Sequence, residues 1–470
     1  MYITSTIYLI LDQYLNRKRS LELILDDIDI YTLDPKEKKK IISQINFLND
    51  YGFIKPERED IKLMKISPES LSKDVSRIEA ISFEVTQKCN LQCTYCIYGE
   101  MYNNLENDHN KELSIDKAEI LIDFLFNEYK SENFTSINKK ITIGFYGGEP
   151  LLNFKLIKKI IEYSNKKKPK NIIIEYTMTT NCLLLNRHMD FLAENDFVLL
   201  LSLDGNFKSS TYRTPQKKWF DKIINNIHLL KTKYPDYFKK RVAFNAVLHN
   251  RNNIKNTISY IKNEFQITPY FSEISPVSLL DKKSYEFDNM RRVISSEIIQ
   301  AKHEIKREDY IKVNPEIQFL NKFFNSITGI KIDYLGSLLN DSNISYILPT
   351  STCSPFSYKL FIDSDGNLHP CEKIGYKYPL GHIDDKKGTV DFNYDQIADE
   401  YNTYYSRIFK KCEKCYNLHT CSTCLLEKNN KCSTVGKDEY TERLTYFVNR
   451  LIQEKDFFQT EELSYNQLAM

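Results

Sequence analysis

The sequence predicts an α/β protein in which a partial (β/α)6 barrel carries a small N-terminal domain and a cysteine-rich C-terminal extension. Three observations predict it. Strand-like runs alternate with amphipathic helical patterns between residues 78 and 275, at the spacing of a parallel sheet with crossover helices. Cys89, Cys93 and Cys96 follow the first of these strands in a CxxxCxxC loop. Seven further cysteines, Cys353, Cys371, Cys412, Cys415, Cys421, Cys424 and Cys432, crowd the last quarter of the chain.

At 470 residues, with 41% hydrophobic and 27% charged side chains, the chain has the profile of a globular protein of two or three domains. Lys and Arg number 65 against 63 Asp and Glu, so no global field points to nucleic acid or an anionic membrane. The N-terminus lacks a basic segment ahead of a long apolar run, and no stretch of about eighteen apolar residues occurs anywhere, so a cytoplasmic location is expected. Eleven cysteines in a chain this long do not make a small disulfide scaffold, and their clustering points to metal.

Taken in order, residues 1–75 read as a separate domain. Asp34 caps a helix with Pro35 in its first turn, Ile41, Ile45 and Leu48 share a face, and Gly52 ends it before the strand Phe53-Ile54-Lys55. This is a winged-helix-like arrangement. Residues 1–60 hold 9 Lys/Arg against 11 Asp/Glu, the opposite of a phosphate-binding footprint, which argues against DNA; a purely structural appendage is the alternative.

Strands are expected at Ile78–Val85, Ile141–Tyr146, Ile172–Thr177, Val198–Leu203, Val242–Leu248 and Thr268–Glu273, with helices at Lys117–Glu128, Leu156–Ser164, Phe220–Leu230 and Ile254–Asn263. Six such units make a TIM-like partial barrel whose site lies at the carboxyl ends of the strands. Residues 276–350 read as a helical bridge, with one long amphipathic helix from Tyr285 to Arg307. The extension spans residues 351–440, and 441–470 form a C-terminal helix and tail.

The chemistry starts at the three-cysteine loop. A structural zinc site wants four ligands, and a disulfide wants an even count in an oxidising compartment. A 4Fe-4S cluster held by three thiolates keeps one iron open for substrate or cofactor. Gly147-Gly148-Glu149-Pro150 follows the second strand; read alone it is either a tight turn or a place where backbone approaches a ligand and a carboxylate takes an ammonium. Thr180-Asn181 ends the third strand and Ser202-Leu203-Asp204-Gly205 the fourth, with polar groups that either cap helices or hold ribose and amino-acid groups. Cys182 reads as a small buried hydrophobe. In the extension, CxxC pairs five residues apart are too close for a zinc ribbon, whose pairs lie about fifteen to twenty residues apart, so two iron-sulfur clusters fit better. Asp363-Ser364-Asp365-Gly366-Asn367 suits a hairpin turn between Leu360-Phe361-Ile362 and Leu368-His369.

The CxxxCxxC loop, with the aromatic Tyr95 before its last cysteine, resembles the signature of the radical S-adenosylmethionine (SAM) enzymes, and Gly147-Gly148-Glu149-Pro150 matches that family's GGEP motif. The resemblance implies SAM as cofactor, its methionine chelating the open iron, and a 5′-deoxyadenosyl radical that abstracts hydrogen. It implies cofactor contacts at Tyr95, Gly147, Gly148, Glu149, Asn181 and Ser202, and at Arg213 for the SAM carboxylate, although Ser209-Ser210 stand where relatives show His-Asp. The C-terminal cysteines resemble the SPASM extension. Carried over, Cys353, Cys371 and Cys424 hold one auxiliary 4Fe-4S cluster and Cys412, Cys415, Cys421 and Cys432 another, three clusters in all. The two-residue interval between Cys421 and Cys424 departs from the family's CxxxC. No cysteine in residues 345–350 supplies a fourth ligand beside Cys353, so a substrate thiolate is a candidate for that iron.

The whole resembles maturases of ribosomally made peptides, with residues 1–75 similar to a precursor-peptide recognition domain that binds a leader. The implied partners are that peptide and an electron donor such as flavodoxin or ferredoxin, with neither nucleic acid nor membrane. The preferred activity is a thioether crosslink between a cysteine sulfur and a carbon. The alternatives are a carbon-carbon crosslink, formylglycine formation with Glu372 as the base beside Cys371, and a cluster-bearing peptide-binding or regulatory protein without turnover. Glu372 is equally an ion-pair residue.

Overall fold

The computed structural model describes Ser43 and residues 62–102, 110–130, 140–301, 304–313, 346–349, 354–413 and 425–426. The helix expected after Asp34 and the strand at Phe53 lie outside these residues. The described residues fall into two compact units. In one, β1 (Lys62–Leu63) pairs in parallel with β8 (Tyr346–Ile347). Ser43 and Met64 belong to the same unit, and the other described residues to the second.

In the second unit, α1 (Pro68–Asp74) opens on a capping box in which Ser67 and Ser70 exchange side-chain and backbone hydrogen bonds. There follow β2 (Ala80–Thr86), α2 (Ile115–Glu128), β3 (Lys140–Gly147), α3 (Phe154–Lys167), β4 (Ile173–Thr180), α4 (Leu185–Glu194), β5 (Val198–Ser202), α5 (Lys217–Lys233), α6 (Pro235–Arg241), β6 (Val242–Leu248), α7 (Ile254–Phe265) and β7 (Tyr270–Glu273). β2 to β7 pair in parallel in sequence order, the partial barrel expected. β-branched and aromatic residues dominate these runs because they fit a pleated surface buried on both faces. Along β2, Ile81, Phe83 and Val85 form one face and Ser82 and Glu84 the other, all of them buried. Phe83 stacks on Phe145, which stacks in turn on Tyr176.

α8 (Ser284–Met290), α9 (Ile294–Ala301) and α10 (Arg307–Val313) replace the single helix expected from Tyr285 to Arg307. The break has a cause at its first joint. Arg291 turns extended and its guanidinium meets Glu273 at 3.0 Å, while the other Glu273 oxygen accepts from Ile294 N–H at 3.0 Å and so caps α9. Docking onto the end of β7 overrides helical periodicity here.

β9 (Lys359–Ile362) and β10 (Asn367–His369) form the expected hairpin, with Asp363 accepting from the N–H groups of Asp365 and Asn367 and bonding His369 at 2.9 Å. β9 also pairs in parallel with β2, so the hairpin, β11 (Gly381–Asp384) and β12 (Thr389–Phe392) extend the barrel sheet to ten strands. The edge of β2 is thereby covered. α11 (Tyr394–Cys412) packs on α1, and its Asn402 amide bonds both N–H and C=O of Ile66, at 2.9 and 2.8 Å. Among the described residues no helix is long and apolar enough to cross a membrane.

Phe83 is fully buried on the central strand. Phe83→Ala should cost about 3–5 kcal/mol, read as a shift of the denaturant midpoint without a change of slope.

Candidate active site

The carboxyl ends of the parallel strands converge on residues 89–96, which have no regular secondary structure of their own. The loop is therefore fixed from outside. Gly148 N–H donates to Thr86 O and Glu149 N–H to Lys88 O, both at 2.9 Å. Gly147 has φ +128°, and a Cβ there would lie 2.1 Å from Thr86 O; on Gly148 a Cβ would lie 2.2 Å from Lys88 O. The close approach for which these glycines are needed is to the backbone that leads into the cysteine loop.

Glu149 is 1% exposed. Its carboxylate accepts from Thr180 Oγ1 (2.7 Å), Asn181 N–H (2.8 Å) and Leu151 N–H (3.2 Å), joining the ends of β3 and β4. Burial pushes its pKa up to about 7 against these hydrogen bonds. Asn181 in turn donates from Nδ2 to Asn90 Oδ1 at 2.7 Å and lies 3.9 Å from Cys89 Sγ.

On the far side of the loop, Asp204 at the end of β5 is fully buried. Arg213 pairs with it through Nη2 (3.1 Å) and Nε (3.4 Å), Val247 N–H donates to it at 3.0 Å, and the Tyr95 hydroxyl donates to its Oδ2. Burial raises its pKa, but the Arg213 charge and the hydrogen bonds prevail and hold it at about 2. The Tyr95 ring is 8% exposed, stacked on His249 and packed with Met101, Tyr102, Ile274, Phe287 and Met290. The side chain thus anchors the loop to the core. Thr94 N–H donates to Tyr212 O at 2.9 Å, and the Cys93 thiol lies 3.8 Å from Arg213 O. Ser202 is 8% exposed on β5, and its N–H donates toward the thiol of Cys182, which is fully buried as expected of a small hydrophobe.

The three thiols form no disulfide, and burial pushes all of them up, Cys89 to about 11. Cys93 feels the charges of both Cys96 and Cys89, so the three sit within electrostatic reach of one another. Leu91 N–H lies 3.4 Å from Cys89 Sγ, and Tyr98 N–H donates to Cys96 sulfur. Among the described residues no three His, Cys, Asp or Glu side chains converge on one ion. A four-iron cluster needs no such convergence, because each thiolate takes a separate iron. Three neighbouring thiols, Cys89 exposed and Cys93 and Cys96 half-buried, with backbone donors at Cys89 and Cys96, are a donor set that fits such a cluster.

Of the proposed auxiliary ligands, Cys371 follows β10, where burial pushes its thiol up to about 12 and Lys373 N–H approaches its sulfur at 3.3 Å; Cys412 ends α11. Cys353, Cys415, Cys421, Cys424 and Cys432 lie outside the described residues. Glu372 pairs with Lys359 Nζ at 2.6 Å. Burial raises its pKa, and Lys359 and Lys373 outweigh that and hold it at about 2.

Two site residues had no reading of their own in the sequence, Asp204 as an anchor and Glu84. Glu84 is fully buried near the end of β2 and bonds Tyr98, Tyr376 and Ser364. Its signal was a carboxylate inside the apolar run Ile81-Ser82-Phe83-Glu84-Val85.

The sequence model of the radical SAM superfamily matches residues 83–261. The cysteine-type anaerobic sulfatase-maturating enzyme of Clostridium novyi is 26% identical over 326 residues, 66% of this chain and 77% of that protein. The radical SAM cyclopropyl synthase TigE of Paramaledivibacter caminithermalis is 24% identical over 360 residues, 74% of this chain and 67% of that protein. The structure of anSMEcpe with bound AdoMet (SAM) aligns with a TM-score of 0.52 at 22% identity, over 80% of this chain and 98% of that one, a likeness of fold.

Gly148→Ala places a methyl against backbone that cannot yield, so the chain should lose most of the iron bound at Cys89, Cys93 and Cys96, measured as iron per chain. Glu149 gives a pH signature in the metal-free protein. Between its ordinary value of 4.5 and about 7 the folded state keeps a proton that the unfolded state has released, so its contribution to stability falls by about 3 kcal/mol as pH rises through that window. Denaturant titrations of wild type and Glu149→Gln across the window should diverge by that slope.

Proposed function

Residues 83–261 being a radical SAM domain and the chain therefore an enzyme of that superfamily, we propose that it is a peptide maturase that forms an intramolecular crosslink, with a thioether preferred. The observation that carries the radical SAM part of this reading is the three-thiol loop held by hydrogen bonds at the carboxyl ends of the strands, and the thioether preference rests on the lack of a cysteine in residues 345–350 beside Cys353. Cys89, Cys93 and Cys96 would hold a 4Fe-4S cluster. Bound there with SAM, it supplies one-electron cleavage of the sulfonium and a 5′-deoxyadenosyl radical.

The chain's own residues would bind and orient the cofactor. Glu149, pushed up to about 7 by burial, would be returned to its ionised form by the methionine ammonium. Asn181 and Ser202 stand at the ends of neighbouring strands for ribose and amino-acid groups, and Arg213, positioned by Asp204, would offer its remaining donors to the carboxylate. Gly147 and Gly148 fix the turn that carries Glu149. Tyr95 would contribute through its backbone, its ring being buried.

The remaining parts follow from the resemblance. Residues 1–75 would bind the leader of a ribosomally made precursor peptide. The C-terminal cysteines would hold two auxiliary clusters, one with an iron left for a substrate thiolate, which metal coordination would deprotonate and position. A flavodoxin or ferredoxin would supply electrons in the cytoplasm. The name of the Clostridium novyi relative supports a polypeptide substrate. It also keeps formylglycine formation as the rival, but Glu372, held at about 2 by Lys359, would be a weak base for that reaction.

Anaerobically reconstituted protein should hold about 12 irons per chain. Replacing Cys89, Cys93 and Cys96 by Ala should remove about a third of them and all reductive release of 5′-deoxyadenosine. Surviving release would refute the reading. For the bond formed, mass spectrometry of the modified peptide should show two hydrogens lost per crosslink and one cysteine resistant to alkylation; full alkylation would exclude sulfur.

A further inference from the structure

Glu84 belongs to the sheet of the barrel, yet its partners come from three other segments. The Tyr98 hydroxyl donates to Oε1 at 2.7 Å, and the Tyr376 hydroxyl donates to the same oxygen. Oε2 accepts from Ser364 N–H (2.9 Å), Ser364 Oγ (2.9 Å) and Gln87 Nε2 (3.3 Å). All five donors are neutral, and they fill the carboxylate's acceptor capacity, so no room is left for a substrate cation. The Ser364 hydroxyl also reaches the Glu84 main-chain O at 3.2 Å.

The two tyrosines give this knot its meaning. Tyr98 lies two residues after Cys96, and its N–H donates to Cys96 sulfur while its hydroxyl holds Glu84. Tyr376 lies five residues after Cys371, in the segment whose Lys373 N–H approaches Cys371 sulfur. Ser364 sits in the turn of the β9–β10 hairpin that leads to Cys371. A chain of hydrogen bonds therefore runs from one cysteine loop to the other through a single carboxylate.

We propose that Glu84 is the positioning residue that fixes the auxiliary cluster at Cys371 relative to the SAM-binding cluster at Cys96, through Tyr98 on one side and Tyr376 and Ser364 on the other. The proposal rests on the reading that Cys371 ligates an auxiliary cluster. A carboxylate suits the task because five donors converge on it. The isosteric amide of Gln would turn a donor toward groups that are themselves donors, leaving buried hydrogens unmatched and releasing the hairpin from the loop.

The test uses anaerobically reconstituted, dithionite-reduced holoenzyme with SAM, and reads the microwave power that half-saturates the EPR signal of the SAM-binding cluster. A second paramagnetic cluster at a fixed position speeds relaxation and raises that power. Wild type should exceed Cys371→Ala severalfold. Glu84→Gln, which keeps Cys371, should fall most of the way toward the Cys371→Ala value, and the Tyr98→Phe and Tyr376→Phe variants, which remove only one hydroxyl each, should fall part of the way. Iron per chain in the Tyr→Phe variants should stay at the wild-type level. A purely structural role would lower thermal stability and leave the half-saturation power of the folded protein unchanged, and that result would overturn the proposal. If Glu84→Gln fails to fold, unchanged relaxation in both Tyr→Phe variants overturns it equally. Wild type and Cys371→Ala relaxing alike would show instead that no auxiliary cluster sits there, and would bring down the underlying reading together with the proposal.

Discussion

Two main-chain hydrogen bonds, from Gly148 to Thr86 and from Glu149 to Lys88, are the constraint on which the site depends. The cysteine loop has no helix or strand to hold it, so its shape must be imposed where β2 releases the chain. Only a residue without Cβ can bring β3's turn so close to those carbonyls, which is why two glycines stand there. With that turn in place, Glu149 reaches β4, Asn181 reaches Asn90, and the loop is held along its first half.

Three buried carboxylates at the ends of three strands then divide the work by their partners. Asp204 is neutralised by Arg213 and anchors Tyr95, so it acts as a fixed ion pair inside the core. Glu149 has only neutral donors and is pushed to about 7, so it is the one of the three whose ionisation a bound ammonium would complete. Glu84 gathers donors from the barrel, the cysteine loop and the hairpin, and serves as a junction. The same side-chain type takes three roles because its surroundings differ.

Much of this was legible. Val242–Leu248 has the bounds expected, and the other five barrel strands and four helices differ only at their ends, because strongly apolar runs between polar turns leave little choice of period. The three-cysteine loop and the GGEP turn were readable from local spacing. The amphipathic helix α4 and the seven-residue α6 have no counterpart among the expected helices, and the long helix after Tyr285 breaks because Glu273, distant in sequence, caps α9. The parallel pairing of β9 with β2 joins residues almost three hundred apart, and no local pattern encodes it. For the same reason the tie between Glu84 and Ser364 and Tyr376 could not be seen, although an acid within an apolar strand marked the position. Arg213 was read as a cofactor contact; its pairing with Asp204, nine residues before it, emerges only when the turn between them folds.

The most direct test of the central claim is whether SAM binds to an iron that the protein leaves open. Pulsed EPR of the reduced holoenzyme, with SAM isotope-labelled at the methionine nitrogen and carboxylate oxygen, measures that contact. Hyperfine coupling from both labels to the cluster held by Cys89, Cys93 and Cys96 is the predicted result. An intact, reduced cluster that shows coupling to neither label would contradict the account.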